Sequence, residues 1–592
     1  MSTTLTTRRG ADWLLGETAA DAVFTIEQLS DEHRLIARTA DDFMRHEVAP
    51  VLARLEQKDW ALARRLVERC GELGLLGTDV PEALGGVALD KVASIVVGEA
   101  VGRVASFATT FGAQSGLAIT PLLCFGTEDQ QRKYVTRLVT GELIGAYALS
   151  EAGSGSDALG AKARATRQPD GSFSLSGEKM WITNGGFADL FIVFAKVDGE
   201  QFTAFIVERA FAGVSTGKEE HKLGLHGSST TPLILQDAQV PAGQVLGEIG
   251  KGHKVALNTL NYGRFSLGAM CIGGARAAIA DAATYAASRR QFGQPIASFG
   301  AIKHKLGEMI ARTYAVESLV YRTAGLIDAT LASSSHDGAL IAQAFEEYAV
   351  EASIAKVAGS EALDYVLDEN VQIHGGNGFV KDYSAERYFR DARVNRIFEG
   401  TNEINRLLIP GMLVRRAIKG EIPLIPAARR LQDEVLSPTL GSASASDDQV
   451  LGDELRVIAA LKKVALMIVG TAMQTYGEKL TDQQEVLGYA ADILMDTYAG
   501  ESAVLRARNA GATDPRRSEL HIAAARVFVH DAGLRVEASA RSALSAMAEG
   551  DTLRTLLAAL RRILKVPPVN TVALRRTLAE AAVAEGKYVL GF

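Results

Sequence analysis

Arg396-Ile397-Phe398-Glu399-Gly400-Thr401-Asn402-Glu403-Ile404 sets a carboxylate between an aromatic residue and a glycine, with a threonine two positions on. Thr401 is a suitable helix N-cap, because a short hydroxyl side chain can accept from the N–H groups of a first turn. Ile404, Leu407 and Leu408 give the following short helix an apolar face, and Pro410 is expected to disturb it. A helix N-terminus offers unpaired N–H groups and a positive dipole end, which suits an anionic group such as a pyrophosphate. Gly400 lets a ligand approach the backbone closely. Glu399 is thus placed as a base beside a phosphate-bearing ligand; taken alone, the same pattern describes an ordinary capping or surface glutamate.

Its company changes that reading. Upstream lie Gln372-Ile373-His374-Gly375-Gly376-Asn377-Gly378-Phe379, Tyr147-Ala148-Leu149-Ser150-Glu151-Ala152-Gly153-Ser154-Gly155-Ser156-Asp157 and Trp181-Ile182-Thr183-Asn184-Gly185. Four separated motifs in this order resemble the signatures of the acyl-CoA dehydrogenase family of flavoproteins, over about residues 30–415. The tail resembles, more weakly, the long and very-long-chain branch. The resemblance implies a mainly α fold with a small β domain: a helical N-terminal domain, an antiparallel β-barrel-like middle domain and a C-terminal four-helix bundle, with an extra α-helical domain beyond.

Composition agrees. A chain of 592 residues is too long for one ordinary domain, and 47% hydrophobic content supports substantial cores. A net charge of −7 argues against nucleic acid as a partner. Cys70, Cys124 and Cys271 are too few and too scattered for a disulfide framework or a thiolate metal site, so no metal is expected and a reducing compartment fits. Arg8-Arg9 precedes only Trp13-Leu14-Leu15, too brief an apolar run for a secretion signal. The longest uncharged apolar run of the tail, 464–473, is far short of the ~20 residues a spanning helix needs. A cytoplasmic protein is expected.

In chain order, 1–29 reads as an irregular leader, and 30–145 as a helical domain opened by a Ser30 cap ahead of Asp31 and Glu32. Short segments at 172–179, 190–197, 202–208 and 232–236, rich in Phe, Ile, Val and Thr, predict the β domain over 146–252. Helices are expected at 253–288, 299–331 and 337–373, in a bundle spanning 253–415. A linker is expected over 416–450, with Ser437, Gly441, Ser442, Ser444 and Ser446 in it, and an Ala-rich helical domain over 451–592. Gly153-x-Gly155-x-x-x-x-Gly160 superficially matches a dinucleotide fingerprint, but a β domain follows instead of a βαβ unit, so nicotinamide binding is rejected.

The resemblance assigns FAD as cofactor and distributes roles. Tyr147, Leu149 and Ser150 would line the isoalloxazine, Gly155 and Ser156 would meet the pyrophosphate, and Ser156 would also stand near substrate. Trp181 and Ile182 would cover the ring, with Thr183 at its hydride-accepting edge. Arg289, Phe292, Gln372, Gly375 and Gly376 would reach across a subunit interface to the partner's FAD, while Thr401 and Glu403 return to the protomer's own. Two departures are noted: Gly300 stands where many relatives carry Gln, though the long-chain branch often has Phe-Gly there as Phe299-Gly300 does here, and Glu403 stands where Gln is common. Asn261-Tyr262-Gly263-Arg264 matches the family's Asp/Asn-x-x-Arg element, which places Asn261 and Arg264 on the acyl-CoA, and Phe398 and Gly400 would flank the thioester. Gly112 and Ala113 stand where medium-chain relatives close the pocket floor with bulkier side chains, which favours long acyl chains; close helix packing would explain them equally well.

The implied reaction is α,β-desaturation of a fatty acyl-CoA to the trans-2-enoyl-CoA in β-oxidation, with Glu399 taking the α-proton and flavin N5 the hydride. Burial of Glu399 is expected to outweigh the acidifying helix terminus once substrate expels water. An electron-transferring flavoprotein would reoxidise the enzyme. The alternatives are an acyl-CoA oxidase and a non-enzymatic relative with an assembly or nucleic-acid-binding role; retention of Glu399 and the acidic balance weigh against the latter. The tail, with Lys462 and Lys463 on an apolar helix at 457–473, could touch a membrane surface, but packing on the catalytic body in place of a second dimer is favoured, giving a homodimer.

Overall fold

The protein is described by a computed structural model covering residues 9–331, 337–436 and 450–591. The serine-rich stretch 437–448 lies outside them.

The N-terminal domain is built from α1 (Asp31–Phe43), α2 (Trp60–Glu72), α3 (Lys91–Val101) and α4 (Ala105–Gly112), the last running on through a wider π-type turn, Ala113–Ile119. Ser30 caps α1 as expected, its hydroxyl accepting the His33 N–H at 3.2 Å. Asp90 likewise caps α3, which is buried along most of its length against α1 and the bundle.

The middle domain holds β1 (Gly145–Ala148), β2 (Arg164–Arg167), β3 (Phe173–Thr183), β4 (Leu190–Val197), β5 (Gln201–Glu208), β6 (Val214–Thr216), β7 (Thr230–Val240) and β8 (Val245–Leu246). The strand order is β6-β7-β3-β2-β4-β5-β8, with β1 added beside β4. The sheet is not wholly antiparallel: β1 and β2 both pair with β4 in parallel. β1 arrives from the helical domain and is fixed by Asp189, whose carboxylate accepts the Ile144 N–H at 2.9 Å just before β4 begins. β4 is buried on both faces, which explains its unbroken apolar run.

The bundle consists of α5 (Gly252–Ser288), α6 (Gly300–Leu331), α7 (Gly338–Glu347), α8 (Ala349–His374), the short α9 (Ala385–Ala392) and α10 (Asn402–Ile418). The single helix expected at 337–373 is broken at Tyr348, whose buried side chain turns in to share a hydrogen bond with Thr330 at 3.0 Å. α5 and α8 cross closely at glycine: a Cβ on Gly359 would stand 3.2 Å from the Gly268 Cα. α10 does not stop at Pro410. It continues to Ile418, losing one backbone bond but gaining a buried face against the tail domain.

The tail comprises α11 (Leu424–Leu436), α12 (Gly452–Tyr476), α13 (Gln484–Thr513), α14 (Ser518–Met547), α15 (Gly550–Ile563) and α16 (Thr571–Glu585). Two expectations are corrected here, and of the two readings of the Lys462 helix the favoured, packed one holds. First, residues 424–436 are helical instead of linker, because Leu424, Ala427 and Leu431 form an apolar face against α12. Second, residues 9–29 are not an irregular leader but a buried strap. Trp13 is buried and its indole N–H donates to Glu351 at 3.0 Å, the Gly16 carbonyl accepts from Lys462 at 2.7 Å, and Glu27 pairs with Arg506 at 2.7 Å. The helix carrying Lys462 and Lys463 does not lie on a surface: it is packed into the tail's core, with Lys462 bound to Glu501 and Lys463 to Glu434. No helix among the described residues is long and apolar enough to cross a membrane.

The tail seats on α6 through buried ion pairs. Arg506 meets Glu317 at 2.5 Å, Arg322 meets Glu501 at 2.9 Å and Arg575 meets Glu308 at 2.8 Å. Such pairs contribute little net stability, but removing one partner strands a buried charge at a cost of about 3–5 kcal/mol.

Candidate active site

Glu399 and Gly400 take the left-handed region, at φ 58° and 77°. For a glutamate this costs on the order of 1–3 kcal/mol and persists only where neighbours enforce it. Three helices do so. Arg264 Nε from α5 donates to the Glu399 carbonyl at 3.1 Å. Lys356 Nζ from α8 donates to the Gly400 carbonyl at 2.8 Å, and Asn405 Nδ2 from α10 reaches the same carbonyl at 2.9 Å. Thr401 then caps α10, accepting the Ile404 N–H at 3.2 Å. A Cβ at Gly400 would also stand 3.2 Å from Asn405 Nδ2, so this glycine serves the turn itself as well as any ligand.

The turn delivers the Glu399 side chain to the wall of a cavity of about 770 Å³. Its Oε2 is buried and bonds to no group among the described residues. Burial raises the carboxyl pKa to about 7, against the pull of Arg264 and Lys356. Space for the carboxylate exists because Gly263 faces it: a Cβ there would lie 2.6 Å from Oε2.

Tyr147, Leu149, Ser150, Gly155, Ser156, Trp181, Ile182, Thr183, Arg264, Phe398, Glu399, Gly400 and Thr401 all line this one cavity. The 149–156 loop is held from behind by Glu151, which accepts from Lys179 Nζ at 2.6 Å and from the Lys162 and Ala163 N–H groups at 2.6 and 3.0 Å. Burial opposes ionisation of Glu151, yet Lys179 and those donors keep its carboxyl below the usual range. On β3 a register shift between Lys179 and Ile182 frees Trp181 from the ladder; it sits at φ 58° with 58% of its surface exposed on the cavity. The Tyr147 hydroxyl on the same wall is buried and unpartnered among the described residues.

Other predicted residues stand elsewhere. Asn261 is buried beneath the loop, accepting from Arg264 Nη1 at 2.9 Å, so both members of this pair bond to protein. Arg289, Gln372, Gly375 and Gly376 are exposed, Phe292 is 92% exposed, and none lines the cavity. Glu403, in the first turn of α10, is also exposed and outside it. The 372–379 segment is nevertheless braced from within: His374 stacks on Tyr285 at 4.0 Å, and Asn377 donates to the Tyr285 hydroxyl at 3.0 Å.

Sequence reasoning missed Lys356, Asn405, Gly263 and the Lys179–Glu151 pair. Lys356 did leave a trace: it is a lone lysine in the run Ala352-Ser353-Ile354-Ala355-Lys356-Val357-Ala358, where a helix offers no polar face to receive it. Asn405 and Gly263 left none, since their roles depend on which loop packs against them.

Segments 30–142, 146–238, 250–412 and 460–562 match, respectively, the N-terminal, middle and C-terminal domains of acyl-CoA dehydrogenases and a further domain described as acyl-CoA dehydrogenase, C-terminal. A probable acyl-CoA dehydrogenase of Bacillus subtilis is 45% identical over 589 residues, 98% of this chain and 99% of its own. The short-chain-specific mitochondrial enzyme of Bos taurus is 37% identical over 69% of this chain and 96% of its own. The very long-chain-specific enzyme of the same species is 38% identical over 67% and 60%. Among solved structures, an acyl-CoA dehydrogenase from Bacillus anthracis complexed with FAD superposes with a TM-score of 0.96 at 47% identity, covering 98% of this chain and 100% of that one. With domain order, cavity and full-length likeness in agreement, this chain belongs to the acyl-CoA dehydrogenase family.

Proposed function

We propose that this protein is an FAD-dependent dehydrogenase that converts long-chain fatty acyl-CoA to trans-2-enoyl-CoA in β-oxidation, with Glu399 as the base. The observation that carries the reading is the Glu399 carboxylate, buried on the wall of a cavity it shares with Trp181 and Thr183.

The residues fit FAD. Trp181 presents an aromatic face to the cavity, the Tyr147 hydroxyl is an unspent buried polar group, and the N-terminus of α10 is positive and suited to phosphate. Tyr147, Leu149, Ser150, Trp181, Ile182 and Thr183 would hold the ring, and Gly155, Ser156 and Thr401 the phosphate-bearing part. When bound, FAD supplies the two-electron acceptor.

The chain's own residues do the rest. Glu399 accepts the α-proton, and a carboxyl with a pKa of about 7 is both ionised enough to act near neutrality and basic enough to pull. The Glu399 backbone N–H, which donates to no group among the described residues, is available to the thioester oxygen as negative charge grows there. The apolar wall, with Leu260 and Leu267 of α5, excludes water beside the reacting carbons.

Cavity-lining residues run along α5 from Gly263 to Gly274, a distance of ~16 Å at 1.5 Å per residue. Gly116, Gly112 and Gly102 line the opposite side, and Arg103, paired with Asp41 at 3.0 Å, also borders the cavity. This depth supports long acyl chains. Exposure of Arg289, Phe292, Gln372, Gly375 and Gly376 supports a homodimer in which they complete the partner's cofactor site. Membership of the family supports an electron-transferring flavoprotein as redox partner.

Anaerobic mixing of purified protein with acyl-CoA from C4 to C20 tests the reading. Bleaching of yellow flavin, strongest with the long chains and absent in Glu399→Gln, is expected. Bleaching by E399Q would move the base elsewhere, and oxygen consumption matching turnover would make the protein an oxidase.

A further inference from the structure

Beneath the Glu399–Gly400 turn, α8 delivers a lysine that proton abstraction as described leaves without a part. Lys356 has no exposed surface, and an ammonium is expensive to bury. Two of its three donors are spent on the base's own loop: one on the Gly400 carbonyl at 2.8 Å and one on the Asn402 Oδ1 at 2.6 Å. Ser360, one turn along α8, shares a 3.0 Å bond with Asn402 Nδ2 and keeps that amide in place. The lysine's hydrogen bonds therefore tie α8 to Gly400 and Asn402, the first and third residues after Glu399.

Its charge also reaches the carboxylate. The groups facing Glu399 are Arg264 from α5, Lys356 from α8 and Tyr147 from β1. Those facing Lys356 are Cys271 and Arg264 from α5, Glu361 from its own helix, and Glu399. Arg264 is held by Asn261 and spends Nε on the Glu399 carbonyl, so two cations share the task of opposing the burial of that carboxylate.

We propose that Lys356 is a positioning residue for proton abstraction: it anchors the Gly400 carbonyl so that Glu399 keeps its left-handed backbone, and its positive charge favours the carboxylate form of the base. This rests on Glu399 being the base. Burial brings the lysine itself down to about 8, so it is still mostly an ammonium at pH 7, where the base titrates.

The test is the rate of anaerobic flavin reduction by palmitoyl-CoA across pH 5.5–9 in Lys356→Met, Lys356→Gln and Lys356→Arg holoenzymes. In K356M the rate is expected to fall about 10- to 100-fold, as for a slightly misplaced base, with FAD content unchanged. Its acid limb should move upward by about one pH unit, because the carboxylate has lost a favourable charge. K356Q keeps a donor for Gly400 and loses the charge, so its limb should move as far with a smaller loss of rate; it decides the matter if K356M does not fold. K356R should restore the limb. K356M and K356Q variants with the wild-type limb, whatever their rate or melting temperature, would overturn the proposal alone. Bleaching by E399Q would overturn it together with the assignment of the base.

Discussion

The two halves of the candidate cofactor site differ in how much this chain finishes by itself. Around Glu399 the backbone is over-determined: a strained turn is held by Arg264, Lys356 and Asn405 from three helices, and the carboxylate Oε2 is buried at the cavity wall. On the outer surface, Phe292 and Phe379 are 92% and 86% exposed, and Gly375 and Gly376 point into open space. That half is stiff, since Tyr285 and His374 brace it, but it touches nothing of its own protomer's cavity. On the proposed function the chemistry falls to the enclosed half, and the outer half is the part a second protomer would complete.

The sharpest way to break this contrast is Glu399→Gln. Loss of a positioned base should cost about 10²–10⁴ in the rate of flavin reduction, with FAD content and oligomeric state unchanged; spectroscopy and light scattering would check both. Gly263→Ala attacks the same half from behind. Its methyl group would claim the space of Glu399 Oε2, so about 10²-fold loss of rate is expected, with retained FAD, in stopped-flow assays. The pH dependence follows from the raised pKa: only the carboxylate is a base, so the rate should fall as pH drops through about 7 and approach tenfold per unit well below it. Phe292→Ala probes the outer half and should do the reverse. It should weaken FAD retention and dimerisation by roughly tenfold, measured by cofactor loss on dilution, and leave the acid limb where it was.

Much of this was legible beforehand, for a physical reason. Motifs such as Trp181-Ile182-Thr183 and Phe398-Glu399-Gly400 are short and local, and their glycines, caps and aromatics carry their meaning in sequence. The long helices at 253–288 and 299–331 showed in composition and length. What stayed hidden depends on partners distant in the chain. Residues 9–29 looked irregular because their burial is against Glu351, Lys462 and Arg506, which no local pattern announces. Lys356 and Gly263 are intelligible only once a loop more than forty residues away rests on them. Pro410 misled because the packing of α10 on the tail outweighed one missing backbone bond.

The charges on α6 set a limit on modularity. Glu308, Glu317 and Arg322 are buried, and each finds a counter-ion on a helix past residue 450. Trimming the chain to its catalytic two thirds would therefore not liberate a smaller enzyme. It would strip Arg322 of its carboxylate, leave Glu308 and Glu317 with only Arg312 and Arg276, and bare the apolar flank that the tail covers, so the cut protein should aggregate before it could turn over.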